Sequence, residues 1–176
     1  MNWMKKVAVA LVCLLPLGLQ AAKVDTLQVK SPSMNKSIEV VVVSPDVAVT
    51  KACPVIYLLH GYGGNARTWV GIKPDLPKIA DEKGIFFVCP DGKNTWYWDS
   101  PLNADVRYET FISNELVKYV DSHYKTVADR KGRAITGLSM GDRALCGMAF
   151  VIAMFSPLRE VPAVAWISAL SRKTGR

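Results

Sequence analysis

Arg133-Ala-Ile-Thr-Gly-Leu-Ser-Met-Gly141 carries a short β-rich run straight into a G-x-S-x-G pattern, and an apolar stretch with helical spacing follows. Strand, sharp turn and helix in that order make a nucleophile elbow. The glycines let the chain fold tightly, and the serine is presented in a strained conformation above the end of a strand. G-x-S-x-G alone would turn up by chance in roughly a few per cent of chains this size, so the flanking elements carry the reading. They make Ser139 the candidate nucleophile rather than an idle turn serine.

Upstream, Pro54-Val-Ile-Tyr-Leu-Leu59 is a continuous apolar run of the kind found in strands buried on both faces, and His60-Gly-Tyr-Gly-Gly64 follows at once. A serine that attacks a carbonyl needs donors for the developing oxyanion. A glycine-rich loop after a buried strand is where they are expected, so the backbone N–H groups of Tyr62 and Met140 are the candidates. His60, beneath that loop, points the wrong way for a general base and reads as structural. Leu76–Lys83 reads as a short helix stopped by Gly84, and Ile85–Cys89 as a second buried strand. Thr26–Lys30 and Ile38–Val43 read as an antiparallel pair ended by Pro45. The alternation beyond Pro45 suggests βαβ order, hence an α/β fold.

Asn94-Thr-Trp-Tyr-Trp-Asp-Ser-Pro101 is an aromatic loop. Trp96, Tyr97 and Trp98 offer a wall for an acyl or sugar group, with Asp99 bonding a hydroxyl; packing is the equal alternative. Tyr108, Phe111, Ile112, Leu116, Tyr119, Val120 and His123 then recur at three and four residue steps, an amphipathic helix ending at Tyr124. His123 falls on its apolar face, which favours packing or capping over catalysis.

The 176 residues, half of them hydrophobic and 21% charged, fit one globular domain and exclude intrinsic disorder as the main state. Of the formal charge of +7, two units lie at Lys5 and Lys6 and three beyond Gly141, which leaves +2 on residues 22–141. No basic stripe interleaved with aromatics remains there, so a nucleic-acid partner is not expected. Residues 1–21, with Lys5 and Lys6, an apolar run from Val7 to Leu19 and small residues at Ala21 and Ala22, read as a signal peptide cleaved after Ala21. That run is short and broken by Pro16 and Gly18, so no membrane anchor is expected after cleavage; the exported chain would be secreted or periplasmic. Cys13 follows bulky Val12 in mid-run, which argues against lipidation. Cys53 opens one strand and Cys89 closes another, so parallel strands would hold the thiols apart, at opposite ends of the sheet. Two histidines and the scattered Cys53, Cys89 and Cys146 have no ligand spacing, so neither metal nor cofactor is expected.

VIYLLHGYGG, then VCPDG with a Trp/Tyr loop, then YVDSHYKTVADRKGRAITGLSMG resemble, in order over roughly residues 24–141, the esterase D family of α/β-hydrolases. That group includes secreted esterases, feruloyl and acetyl xylan esterases, S-formylglutathione hydrolases and mycolyltransferases. The resemblance implies a three-layer, mostly parallel sheet, Ser139 as nucleophile, Tyr62 and Met140 as oxyanion donors, and an acid and a histidine from later strands. The family would continue Gly-x-Gly-Ala-Leu/Met after Gly141 and reach Arg-His-x-Asp-x-Phe, whereas this chain reads DRALCGMAFVIAMFSPLREV onward. Back-translation with one base lost forces Gly at Met148-Ala, Val at Met154-Phe and Asp at Trp166-Ile, and permits G-G-S-G-A-L and R-H-R-D-V-F. Three segments are therefore expected: a signal peptide (1–21), the N-terminal part of an α/β-hydrolase domain (22–141) and an out-of-frame tail (142–176). The expected activity is hydrolysis of small-molecule or polysaccharide-linked esters, nearly absent from the chain as written because the serine lacks its base. The alternatives are an acyltransferase on the same site and a carbohydrate-binding remnant using Trp96 to Trp98.

Overall fold

Residues 23–31 and 36–44 alternate or run apolar with β-branched side chains, and they pair as a hairpin. β1 (Lys23–Ser31) and β2 (Lys36–Ser44) run antiparallel in register from Lys23 opposite Ser44 to Ser31 opposite Lys36. The structure, a computed structural model, describes residues 22–147. The expected signal peptide and the tail from residue 148 lie outside the described residues, as does the side chain of Cys146.

β3 (Val55–Leu59), β4 (Phe86–Pro90) and β5 (Arg133–Gly137) complete one five-stranded sheet in the order β1-β2-β4-β3-β5. β3 is parallel to both β4 and β5, and β2 meets β4 antiparallel. Every residue of β3 and β4 is buried, because these central strands are covered on both faces. Side chains alternate between two cores. Val55, Tyr57, Leu59, Phe86 and Val88 pack with Phe111, Ile112, Leu116 and Val120 on one side. Ile56, Leu58, Phe87 and Cys89 pack with Trp69, Leu76, Ile79 and Ala80 on the other. The second core is roofed by α1 (Thr68–Ile72) and α2 (Leu76–Lys83), the latter ending at Gly84 with φ +63° as its sequence implies.

The opposite face is covered by a continuous helical segment that is less regular than its periodicity predicts. α3 (Tyr108–Thr110) leads into a π-helical stretch at Phe111–Leu116 and then α4 (Val117–His123). The Ser113 hydroxyl donates to the Glu109 carbonyl at 2.7 Å, so a side chain enters the main-chain ladder where the helix widens. His123 is exposed rather than on the buried face: its Nδ1 meets the Tyr119 carbonyl at 2.8 Å and its ring stacks on Tyr119 at 4.0 Å, which is a cap at the helix end. Arg133, at the start of β5, pairs with Asp121 of α4, and Thr126 donates to the other Asp121 oxygen at 2.7 Å. α5 (Met140–Gly147) follows β5.

Cys53 and Cys89 are both free and buried. Cys53 sits just before β3 and bridges to Thr126, whereas Cys89 lies near the far end of β4, as parallel strands require. Burial pushes both thiols above the ordinary cysteine range. Little thiolate therefore exists at neutral pH, and alkylating reagents have no path to it. Native protein at pH 7.5 should leave Cys53 and Cys89 unmodified by iodoacetamide over an hour, while denaturation exposes both; peptide mass mapping reads the outcome.

Candidate active site

The elbow is built from close backbone approaches. Leu138 N–H donates to the Leu59 carbonyl at 3.0 Å, the last rung between β5 and β3, and the chain then reverses at Ser139 with φ +52°. A Cβ on Gly137 would fall 2.3 Å from the Gly141 carbonyl carbon, and a Cβ on Gly141 would lie 2.6 Å from Leu59 Cβ and 2.7 Å from Leu59 O. No side chain fits at either position. The two glycines let α5 start directly over the end of β3, and Ser139 is left exposed at the tip. Met140 is the first residue of α5, so its N–H has no partner within the helix.

The loop after β3 lies against this elbow: a Cβ on Gly61 would sit 3.3 Å from Leu138 O and 3.6 Å from Ser139 Cβ. The segment Gly61–Gly64 is a tight turn closed by Gly64 N–H to Gly61 O at 3.0 Å, with Gly63 at φ +77°, the type II pattern that needs glycine at its third position. Tyr62 is 68% exposed beside the elbow. Ser139, Tyr62 and Met140 are thus carried on two loops in contact at the carboxyl ends of β3 and β5.

His60 is fully buried and both its ring nitrogens are taken. Nδ1 meets Gly61 O at 2.7 Å and Nε2 receives the Gly92 N–H at 2.9 Å. Asp91 Oδ1 lies 3.5 Å from Nε2, but a nitrogen that accepts from Gly92 bears no proton to share. The contact is therefore not an ion pair. Asp91 is paired instead with Lys93, whose ammonium stands 2.6 Å from Oδ2 and is held above the usual lysine range by that carboxylate.

The aromatic loop splits in two. Trp96 and Tyr97 both have positive φ, +57° and +59°. Trp96 and Trp98 are 41% and 55% exposed, free to form a wall, but the Tyr97 ring is fully buried over Gly92, where an added Cβ would come within 2.0 Å of it. The Tyr97 hydroxyl accepts the His60 N–H at 2.8 Å and donates to the His60 carbonyl at 3.2 Å. Burial raises the phenol, which keeps it a donor. Asp99 is corrected from the expected substrate contact: its two oxygens take the Thr110 N–H at 3.0 Å and hydroxyl at 2.5 Å, holding the start of the helical segment. Asn94, which the sequence reading did not single out, accepts the Gly63 N–H at 2.7 Å. Its only sequence signal is its place in the polar turn after Pro-Asp-Gly.

A polar cleft of about 390 Å³ opens beside these loops, over β1 and β2, lined by Gln28, Glu39, Asn65, Arg67, Asp91 and Lys93. Among the described residues no group of three His, Cys, Asp or Glu side chains is placed to hold a metal ion.

Comparison with known proteins follows the same outline. The Esterase family model matches residues 31–172. Esterase Rv1288 of Mycobacterium tuberculosis is 34% identical over 95 residues, covering 50% of this chain and 20% of that one. The solved S-formylglutathione hydrolase of Agrobacterium tumefaciens superposes with a TM-score of 0.63 at 21% identity, covering 70% of this chain and 51% of that one. A solved ferulic acid esterase superposes with a TM-score of 0.59 at 30% identity, covering 69% and 50%. The fold is that of an incomplete α/β-hydrolase, and the chain spans about half the length of these solved structures.

A non-glycine residue in the left-handed region costs on the order of 1–3 kcal/mol. Replacing Ser139 by Gly should therefore raise stability by about 1 kcal/mol, whereas Gly141→Ala, pressed against the Leu59 main chain, should lower it by about 2 kcal/mol or more. Urea denaturation of the two variants checks the opposite signs.

Proposed function

The chain belongs to the Esterase family, and on that premise we propose that Ser139 is the nucleophile of a serine carboxylesterase. The observation that carries this reading is the left-handed Ser139, exposed at its tip with the Gly61 loop against it. In the proposed reaction Ser139 Oγ attacks the ester carbonyl carbon as a general base takes the hydroxyl proton and passes it to the leaving alcohol oxygen, and the carbonyl oxygen becomes an oxyanion received by the Tyr62 and Met140 N–H groups. Collapse expels the alcohol and leaves an acyl-Ser139 ester; water then attacks it and releases the acid. Trp96 and Trp98 are proposed to wall the site against a substrate ring, either in the acyl group or in a sugar that carries it.

The base has to come from elsewhere. The chain contains two histidines. His60 has both ring nitrogens engaged. His123 precedes the segment that bonds to Cys53 at the amino end of β3, the end of the sheet opposite Ser139. We therefore infer that the chain as written is a slow enzyme, and that an acid and a histidine belong to sequence read in another frame beyond Gly141. The family match, made on the residues as written, extends over this tail to residue 172, which weighs against the change of frame, and resequencing the coding DNA from codon 130 onward is the direct arbiter. Export through residues 1–21 belongs to the same proposal.

A fluorophosphonate probe should label the folded chain slowly, over hours, at Ser139, and Ser139→Ala should abolish labelling without changing the fold. Restoring one base near codon 141 should speed labelling by several orders of magnitude, since losing the histidine of a known triad costs on the order of 10⁶ in kcat. In that restored protein Trp96→Ala and Trp98→Ala should raise KM for aromatic or glycosyl esters several-fold, with kcat less affected. A folded, frame-restored chain that labels at no serine would end the esterase reading.

A further inference from the structure

The N–H assigned to the oxyanion at Tyr62 belongs to the peptide that joins Gly61 to Tyr62. No peptide of the described chain is cis, and a planar trans peptide points its N–H opposite to its carbonyl. Whatever holds the Gly61 carbonyl therefore aims the Tyr62 N–H. Two donors hold it: the Gly64 N–H at 3.0 Å and His60 Nδ1 at 2.7 Å. A carbonyl only accepts, so Nδ1 carries the ring proton; the Gly92 N–H only donates, so Nε2 carries none. The buried imidazole is thereby neutral and in a single tautomer. The Tyr97 hydroxyl clamps the His60 main chain on both its N–H and its carbonyl, and Asn94 fixes the next peptide through the Gly63 N–H.

From this geometry we infer that His60 is a positioning residue for the oxyanion site, the middle of a relay in which Gly92 N–H bonds Nε2, Nδ1–H bonds the Gly61 carbonyl, and the same peptide presents its N–H at Tyr62. All the donors run in one direction. Each bond polarises the next, and an amide whose oxygen accepts a strong bond is a better donor at its nitrogen. The task given to the Tyr62 N–H rests on the esterase reading; the relay itself rests on the hydrogen bonds. A ring that merely filled space would have no need of a defined tautomer.

Two substitutions separate the halves of the relay. His60→Asn keeps a donor at the Nδ1 position, toward Gly61 O, and loses the acceptor for Gly92; His60→Gln reaches the Nε2 position and keeps only the acceptor. In the ¹⁵N-labelled full chain, the wild-type His60 ring should show a protonated Nδ1 and an unprotonated Nε2. The Tyr62 amide proton should shift upfield in His60→Gln and stay near its wild-type position in His60→Asn. Fluorophosphonate labelling at Ser139 should fall at least tenfold more in His60→Gln than in His60→Asn, within the hundredfold or more that loss of an oxyanion donor costs. A proton on Nε2 in the wild-type ring, or a Tyr62 amide that is unmoved by His60→Gln, overturns the relay. The ring measurement needs no variant, so misfolding of either one does not spare the proposal. If the ring and amide behave as expected while Ser139 of the frame-restored protein never labels, the relay stands and the esterase reading falls.

Discussion

The approach of Gly141 to the Leu59 main chain is the constraint on which the rest of the site depends. Leu59 ends β3 and Gly141 lies in the first turn of α5, and at 2.6–2.7 Å from the position of a Cβ neither backbone has room to yield. That contact places α5 over the strand end, forces the reversal at Ser139 and brings Leu138 and Ser139 against Gly61. The cost of holding Ser139 in the left-handed region is met by the surrounding structure. β3 and β5 are paired along their whole length, and Met140 and Ala144 bury the inner face of α5 against the sheet. A strain of about 1–3 kcal/mol is small beside the burial of two such side chains and a full parallel ladder.

A second set of forces shapes the loops around β4. Lys93, Trp96 and Tyr97 all have positive φ, a concentration of unfavourable backbone in five residues. What holds it is the Tyr97 ring, driven into the space over Gly92, with its hydroxyl satisfied at the His60 main chain. The histidine could in principle have been charged and paired with Asp91. In a fully buried setting the cost of desolvating both ions is several kcal/mol each. The neutral ring avoids it by using main-chain partners on both sides, and Asp91 is left to the half-solvated Lys93. With Nδ1 donating to Gly61 and Nε2 accepting from Gly92, the ring offers Asp91 no proton.

Much of this was legible in the sequence, for local reasons. The runs at 54–59 and 85–89 are apolar without alternation because both faces are covered, and G-x-S-x-G marks a place where two backbones touch. The misreadings share a cause, which is that a residue's type does not say whom it meets. Asp99 has the chemistry of a hydroxyl ligand, but Thr110, eleven residues on, occupies it. His123 keeps the spacing of the buried face, yet the π-helical stretch at Phe111–Leu116 breaks the register that the spacing assumes. Tyr97 sits between two tryptophans of like character, and what holds it inward while they face out is the space over Gly92 and the hydrogen bonds of its hydroxyl to the His60 main chain.

The two halves of an acyl-transfer site place different demands on a chain. Oxyanion donors and a presented serine are matters of main-chain geometry, set by glycines and by one buried imidazole within loops that follow adjacent strands. Proton transfer requires a side chain brought to the serine from another element, and its presence cannot be inferred from the elbow. On the proposed reading the described residues supply the first half, and His60 is committed to shaping it, since a ring that donates to Gly61 and accepts from Gly92 has no lone pair left for a serine proton. A histidine next to an oxyanion loop therefore argues against its own role as base: the tautomer that makes it useful to the loop is the one that takes it out of proton transfer.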